Sequence, residues 1–450
     1  MRCVYPARRR SRSSRLPFPP DPCEIAQDVG SLRAVYNGGS RSPEGGIRVL
    51  VQDDLLAPEV VRDPYAYFAR LRRDDPVHWN KRWGGWLVTR YEDVVRAFRD
   101  PARLSSDRMA HFQQELSPHD QERLHVLIRY FSRWLVFTDP PYHTRVRMLV
   151  NKAFTPTSVE RLRPRVRAIV SELQDGMEQG RHADFIRAFA FHLPVIVISE
   201  YLGVPPQDRE AVKEWSDETS RIFFIRADDP QRRERSQAGL IKLLEYFAPL
   251  IHERRRHPQD DLISALVQAQ ERGDLLSDDE VLATCTVLLF AGHETTTNLL
   301  ANGLLALLQH RDQWELLARD PSLASSATEE LLRYDGPVKA TFRWARVDAE
   351  LGGKTVRAGD RMLLVLASAN RDPDRFPQPD RVDITRNPNP HVAFGHGIHV
   401  CLGAPMARLE GQEAFAALAR RFPGMRLATD ELEYHPTIVS RALAELPVEW

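Results

Sequence analysis

Between Ser277 and Pro321 the chain contains no proline, and this stretch constrains the fold more than any other feature. Glu280 follows Ser277 by three residues, which is the pattern of a capping box, so a helix is predicted to begin here. The helix can continue to about Gln309, a length of about 50 Å at 1.5 Å per residue. A helix of that length crosses a whole domain.

The middle of this predicted helix is apolar and yet carries reactive groups. The segment Leu288–Leu300 has an apolar run at each end, but it also contains His293, Glu294 and three consecutive threonines, Thr295 to Thr297. Polar groups at the centre of a buried helix are costly unless they have partners. The sequence therefore predicts a functional site at this point.

A second informative stretch is a glycine-rich loop around a cysteine. Three glycines lie close to Cys401 within VAFGHGIHVCLGAPMAR, residues 392–408, and a helical pattern begins directly afterwards at Ala404. Glycines permit a tight loop and the close approach of a flat ligand. The free N–H groups and the dipole at a helix N-terminus favour a thiolate. This loop is therefore a candidate site for a metal bound by a thiolate.

Composition excludes several classes of protein. The 62 basic and 62 acidic residues give no net charge, which argues against a protein held to nucleic acid by bulk electrostatics. No run of about 18 apolar residues exists, so no membrane span is expected. Four cysteines with no C-x-x-C pair exclude a disulfide framework and a zinc ribbon, and they favour a reducing, cytoplasmic compartment.

The beginning of the chain differs from the rest. Residues 1–45 are rich in Arg, Ser and Pro, and Met1–Glu44 holds eight arginines against four acids. We interpret these residues as a disordered basic tail, although the composition also fits a transit peptide or a start codon assigned too far upstream. Residues 46–450 are predicted to form one domain, mostly helical, with a short hairpin in Val77–Tyr91.

Three chemistries compete for the cysteine loop and the long helix. A zinc site of the H-E-x-x-H type lacks its second histidine, because position 297 is Thr. A thiol nucleophile would pair Cys401 with a histidine. The third is haem held by one thiolate. The pattern Phe394-x-x-Gly397-x-x-x-Cys401-x-Gly403 resembles the signature of the cytochrome P450 family, and the resemblance extends over roughly residues 47–450.

Two further motifs resemble those of the same family. The run of residues 291–296, AGHETT, is similar to the oxygen-activation motif of the family's long central helix. Glu330-Leu331-Leu332-Arg333 is similar to its E-x-x-R motif. The resemblance implies a mainly α fold with a small β region, the cytochrome P450 fold, with a single haem-binding domain that binds haem b (iron protoporphyrin IX).

The resemblance also implies roles for individual residues. Cys401 is expected to be the axial iron ligand, and Glu294 and Thr295 are expected to move protons toward bound oxygen. The expected haem contacts, with cations for the propionates among them, are His143, Arg147, Ala291, Arg343, Phe394, Gly397, His399 and Gly403. The expected structural cluster under the haem-binding loop is Glu330, Arg333 and Arg381. The expected substrate contacts are Phe112, Phe131, Phe223, Leu288 and Val338.

The implied activity is insertion of one oxygen atom from O₂ into a small, largely apolar organic substrate. Electrons are expected from a ferredoxin and its NAD(P)H-dependent reductase, with Arg133, Arg145 and Arg408 as candidate contacts for an acidic donor. A cytoplasmic monomer without nucleic-acid or membrane partners is expected. Other outcomes stay open: C–C coupling, desaturation or nitration, or a haem-thiolate sensor without turnover. Lys339 either pairs with an acidic substrate group or faces solvent.

Overall fold

The structure is a computed structural model, and it describes residues 53–220, 222, 231–271 and 273–450. The described residues belong to a unit that spans Ser42–Trp450. The predicted basic tail, residues 1–45, lies outside the described residues, as does Phe223.

Helices make up most of the described chain. They are α1 (Pro58–Arg62), α2 (Pro64–Asp74), α3 (Tyr91–Phe98), α4 (Arg108–Gln114), α5 (Pro118–Arg123), α6 (His125–Phe131), α7 (Tyr142–Ala153), α8 (Pro156–Glu160), α9 (Arg163–Glu178), α10 (His192–Leu202), α11 (Arg209–Ser220), α12 (Arg232–Arg256), α13 (Leu262–Gln268), α14 (Asp278–Gln309), α15 (Arg311–Arg319), α16 (Ala324–Asp335), α17 (Leu366–Ala369) and α18 (Ala404–Arg421).

The strands are short. They are β1 (Val77–Asn80), β2 (Gly85–Val88), β3 (Leu104–Ser105), β4 (His182–Asp184), β5 (Gln270–Glu271), β6 (Asp274–Leu275), β7 (Thr341–Ala345), β8 (Ala349–Leu351), β9 (Lys354–Val356), β10 (Arg361–Leu364), β11 (Arg426–Leu427) and β12 (Pro447–Glu449). The largest sheet has the order β1-β2-β10-β7-β3, and a three-stranded sheet has the order β11-β12-β4.

The predicted hairpin and the predicted long helix are both present. Strands β1 and β2 pair antiparallel, with Val77 opposite Val88. Helix α14 has 32 residues, and its capping box is formed: the Glu280 N–H donates to Ser277 Oγ, while the Ser277 N–H donates to Glu280 Oε2. The fold is mainly α with a small β region, as the sequence predicts.

Helix α14 lies at the centre of the main hydrophobic core. Of its 32 residues 22 are buried, and α10, α12, α16 and α18 pack around it. A second core lies on one face of the five-stranded sheet and includes Trp86, Val88 and Met362. None of the helices in the described ranges combines the length and apolar content that a membrane crossing requires.

Candidate functional site

A cavity of about 290 Å³ lies between α14 and the glycine-rich loop that leads into α18. The predicted residues on α14 that line it are Leu288, Ala291, Gly292 and Thr295, and those on the loop are Phe394, Cys401 and Gly403. Most of the lining is aliphatic or aromatic. The two sequence segments that were predicted to carry chemistry therefore face the same space.

A larger groove, of about 720 Å³, is a weaker candidate. Its central charges lie beside one another: Arg441 Nε lies 3.4 Å from Asp335, and the Tyr65 hydroxyl donates to Asp335. Arg371 donates from Nε to the carbonyl of Tyr334. The described residues that line the groove include neither a thiol nor a histidine, so it does not combine the reactive groups that the cysteine cavity has.

Cys401 is exposed to the cavity, at the end of a tight turn before α18. Its backbone N–H donates to the Phe394 carbonyl at 2.9 Å, which closes the loop. Burial raises the pKa of the thiol, while N–H groups of Gly403 and Ala404 and the charge of Arg147 partly offset that rise. Backbone N–H groups aimed at the sulfur are what a thiolate metal ligand requires.

Gly397 has a conformation and a position that only glycine fits. Its φ is +71°, in the left-handed region, and a Cβ there would lie 2.7 Å from the Phe98 carbonyl oxygen. A side chain at this position would therefore strain the backbone and push the loop away from α3. The glycine lets the loop come close to α3 and fixes the path of the chain before Cys401.

Two histidines in the cavity, His143 buried and His399 half-buried, have buried ring nitrogens without hydrogen-bond partners among the described residues. The rings of His143, on α7, and His399 lie 4.3 Å apart, and both ring nitrogens of His143 and Nε2 of His399 are unpartnered. Burial, with nearby cations, lowers the pKa of His143 to about 4 and that of His399 to about 3. Buried donors without acceptors are rare, so this pair points to an acceptor that binds in the cavity.

Two arginines add positive charge beside these histidines. Arg147, one turn after His143 on α7, donates to the carbonyl of Val400 at 2.8 Å, and Arg343 on β7 lies 5.1 Å above the Phe98 ring. Burial lowers the pKa of Arg343 to about 10. Asp139 is the acid whose negative charge acts on Arg343. Its carboxylate already accepts a hydrogen bond from the Ser105 hydroxyl and pairs with Arg346. A ligand with acidic groups and an apolar body therefore fits this cavity, in agreement with the haem that the sequence resemblance implies.

The polar residues of α14 divide between cavity and helix backbone. The Thr295 hydroxyl faces the cavity and donates to the Ala291 carbonyl at 2.8 Å, and Thr297 donates to the carbonyl of His293. Glu294 is half-buried and does not line the cavity. Burial, helped by the negative charge of Asp217 on α11, raises the pKa of Glu294 to about 8. Its carboxyl group can therefore both give and take a proton near neutral pH.

The absence of a side chain at Gly292 also matters for helix packing. A Cβ at this position would lie 3.0 Å from Cγ1 of Ile198, on α10. The glycine therefore allows α10 to pack closely against α14. Ile198 lines the cavity too, and no sequence pattern identified it as a site residue.

The E-x-x-R motif is a buried ion pair, but its second arginine was predicted incorrectly. Glu330 and Arg333 form two hydrogen bonds of 2.8 Å with no exposed side-chain surface. Arg386, not Arg381, completes the cluster, since its Nε donates to both Glu330 oxygens at 3.2 and 3.0 Å. Arg381 is exposed and contributes only its backbone carbonyl, which accepts from Arg333.

The predicted substrate contacts are partly wrong. Leu288 and Val338 line the cavity, whereas Phe112 and Phe131 do not. Phe131 is fully buried in the core, with its ring 4.2 Å from that of Trp134. Phe112 packs against the edge of the same core. Lining residues that the prediction did not name include Val136, Ile198, Leu332, Thr341 and Leu366.

Both predictions for Lys339 are wrong. The side chain is buried, and its ammonium donates to the carbonyl of Thr437 at 2.7 Å. Burial, with Arg441 nearby, lowers the pKa of Lys339 to about 7. Lys339 therefore neither reaches the cavity nor faces solvent.

The three arginines suggested for donor docking each carry an acidic partner. Arg133 lies 3.7 Å from Asp279, Arg145 pairs with Asp274 and Glu280, and Arg408 pairs with Glu329. An arginine in a surface pair of this kind keeps part of its positive potential, but its charge is partly balanced by its acidic partner.

A sequence model of the family described as "Cytochrome P450" matches residues 109–318 and 322–439. The chain belongs to the cytochrome P450 family. This P450 is 42% identical over 429 residues to the "Cytochrome P450 monooxygenase PikC" of Streptomyces venezuelae, which covers 93% of this chain and 97% of the relative. It is also 42% identical over 403 residues to the "Vitamin D(3) 25-hydroxylase" of Pseudonocardia autotrophica, covering 88% and 96%.

A crystal structure of P450BioI, in complex with an acyl carrier protein that bears hexadec-9Z-enoic acid, has the same fold as this P450. The TM-score is 0.81 at 37% identity, and the match covers 87% of this chain and 99% of the other. The family binds haem through a cysteine thiolate, which agrees with the thiol and the unpartnered donors of the cavity. This P450 is a monooxygenase that uses O₂, an organic substrate and electrons from redox partners.

Proposed function

We propose that Cys401 is the axial haem ligand and that His143, Arg147, Arg343 and His399 hold the two propionates. The unpartnered nitrogens of His143 and His399, buried beside two arginines, carry this proposal. Four donors of this kind fit two carboxylates. Bound through a thiolate, haem supplies the activation of O₂ that inserts one oxygen atom into a C–H or C=C bond.

We assign Thr295 and Glu294 to the supply of protons to the cavity. The Thr295 hydroxyl donates to Ala291, and its lone pairs stay available to accept from a water molecule in the cavity. Glu294, with a pKa of about 8, is mostly protonated at neutral pH and holds a proton that it can release. Asp217, whose side chain is 43% exposed and whose charge acts on Glu294, is a further carboxylate that can exchange protons with solvent.

We infer a small, largely apolar substrate. The supporting observation is the aliphatic lining of the cavity by side chains such as Leu288, Val338 and Ile198. Vitamin D₃, named for one relative, and hexadec-9Z-enoic acid, named for one structural neighbour, are both mostly hydrocarbon. An apolar pocket with few polar groups is typical of sites for such molecules.

For electrons we infer a ferredoxin and its reductase, in keeping with the family's dependence on redox partners. We also infer a monomer in the cytoplasm. The two cysteines of the described part, Cys285 and Cys401, are free, which supports a reducing compartment. Sedimentation of the purified chain, alone and with the ferredoxin, tests the monomer and the complex together.

The carbon monoxide spectrum of the reduced protein tests the ligand assignment. We expect the strongly red-shifted Soret band of thiolate-bound haem in the parent protein and its loss in Cys401→Ser. Cys285→Ser is the matched control, because Cys285 is buried on α14 and outside the cavity lining. An unshifted band in the parent, or a red-shifted band that survives in Cys401→Ser, would contradict the assignment.

A further inference from the structure

Glu329 lies one residue before the E-x-x-R glutamate, and it holds a separate set of partners. Its Oε1 accepts from Arg408 Nε at 2.7 Å, and its Oε2 accepts from Arg408 Nη2 at 2.9 Å and from His391 Nε2 at 3.1 Å. The arginine contact is bidentate, the geometry in which guanidinium–carboxylate pairs are strongest and most directional. We call Glu329, His391 and Arg408 the Glu329 clamp.

The hydrogen bonds of His391 define its protonation state. The N–H of Ala393 donates to His391 Nδ1 at 3.2 Å, so this nitrogen is an acceptor and Nε2 carries the proton that reaches Glu329. The imidazole is therefore neutral. Arg408 is consequently the one positive charge within the clamp that faces the negative charge of Glu329.

The clamp touches the cysteine loop through an aromatic ring. The Arg408 guanidinium lies 4.6 Å from the centre of the Phe394 ring, and the His391 ring lies 6.1 Å from it. Phe394 lines the cavity, and its carbonyl accepts from the Cys401 N–H at 2.9 Å. Both the orientation of this ring and the charge beside it therefore depend on Glu329.

The two charges of the clamp oppose each other near the start of α18, the helix that follows Cys401. Arg408 lies on the second turn of α18, about 6 Å along the helix from its start beside Cys401. The guanidinium places a positive charge over the Phe394 ring of the cysteine loop, and Glu329 balances that charge. The side chains of Glu329 and Arg408 are 26% and 38% exposed, so solvent screens their field without removing it.

We propose that Glu329 is a positioning residue that sets, through Arg408 and Phe394, how strongly Cys401 donates electron density to the haem. This inference rests on the proposed role of Cys401 as ligand. It assigns the two neighbouring carboxylates of α16 different tasks: Glu330 stabilises the fold through Arg333 and Arg386, and Glu329 adjusts the electronic character of the thiolate.

The test is the reduction potential of the haem-loaded full chain, measured by spectroelectrochemical titration. Glu329→Gln keeps an acceptor for His391 but removes a negative charge, so we expect the potential to rise. Arg408→Gln removes the positive charge, so we expect the potential to fall. The double variant Glu329→Gln/Arg408→Gln is expected near the parent value, and so is Glu329→Asp, because it keeps the charge.

Glu413→Gln is the matched control. Glu413 also lies on α18 and pairs with Arg163 and Arg167, but it is five residues, about 7.5 Å along the helix, beyond Arg408 and so farther from the Cys401 end of α18. We expect no shift in its potential. A purely structural role for the clamp would move both single variants in the same direction, with loss of haem or of the red-shifted carbon monoxide band.

Opposite shifts in Glu329→Gln and Arg408→Gln support the proposal, and equal or absent shifts overturn it. If Glu329→Gln does not retain haem, the reduction potential of Arg408→Gln decides. A lower potential than that of the parent supports the proposal, and a higher or equal potential overturns it. The carbon monoxide band of the parent separates this proposal from the one on which it rests. An unshifted parent band contradicts Cys401 as ligand, whereas a red-shifted parent band with unmoved potentials contradicts the clamp alone.

Discussion

The substitution Glu330→Gln tests how much the buried cluster beneath the cavity stabilises the fold. Five donors converge on this carboxylate: two from Arg333 at 2.8 Å, Arg386 at 3.0 Å, Asn389 at 3.1 Å and the Asp383 N–H at 2.9 Å. Glutamine removes the charge and replaces one acceptor oxygen with an NH₂ group that faces donors. Arg333 and Arg386, 0% and 10% exposed, then keep buried charges without a counter-ion.

Removing one partner of a buried ion pair costs about 3–5 kcal/mol. For about 400 folded residues at about 2.1 cal/mol/K each, the entropy of unfolding is about 0.8 kcal/mol/K. The melting temperature is therefore expected to fall by about 4–6 °C. Calorimetry or circular dichroism of the haem-loaded protein, at one fixed scan rate, measures this difference.

Glu413→Gln again provides the comparison, because it removes the same group from a pair that is partly exposed. Its cost is expected to be about 0–1 kcal/mol, or about 1 °C or less. If the two variants melt within about 1 °C of each other, the charge balance around Glu330 is not what stabilises this region, and the reasoning fails.

Three further predictions concern proton supply and buried charge. Thr295→Ala is expected to retain haem but to produce more peroxide per NAD(P)H consumed, and unchanged coupling would contradict the role of its hydroxyl. Asp217→Asn removes a negative charge that raises the pKa of Glu294, so Glu294 should lose its proton at a lower pH than in the parent. The loss of coupled turnover on raising the pH should therefore begin at a lower pH in this variant. Burial lowers the pKa of Lys339 from 10.5 to about 7. Between these two pH values the unfolded chain therefore binds one more proton than the folded chain, and the free energy of unfolding rises with pH. Lys339→Met should abolish that rise in urea titrations at pH 7 and 9, and a slope equal to the parent's would refute the buried-amine explanation.

Local signals in the sequence predicted those features that depend on neighbouring residues. The capping box and the absence of proline gave the bounds of α14, because both act within one helix. The glycines around Cys401 predicted a tight loop, and Gly397 has the left-handed conformation that such a loop needs. His143 and Arg147 lie one turn apart on α7 and both line the cavity, as their spacing indicates.

Features that depend on how distant segments meet could not be predicted in the same way. Arg381 and Arg386 lie five residues apart in an irregular segment, and only its folded path brings Arg386 to Glu330. Phe131 and Ile198 are both apolar residues on helices, yet one lies in the core and the other lines the cavity. Lys339 looked like a surface residue because lysine is seldom buried, and its partner, the Thr437 carbonyl, is 98 residues away.

The adjacent carboxylates of α16 have a consequence for the dynamics of the protein. Glu330 holds the segment around Asp383 to Asn389, and Glu329 holds His391 and the first turns of α18. Because both side chains extend from the same turn, neither segment can separate from α16 without strain on the other. Amide hydrogens from Asp383 to Arg408 should therefore exchange with solvent as one cooperative unit, with a shared opening free energy, rather than as independent loops.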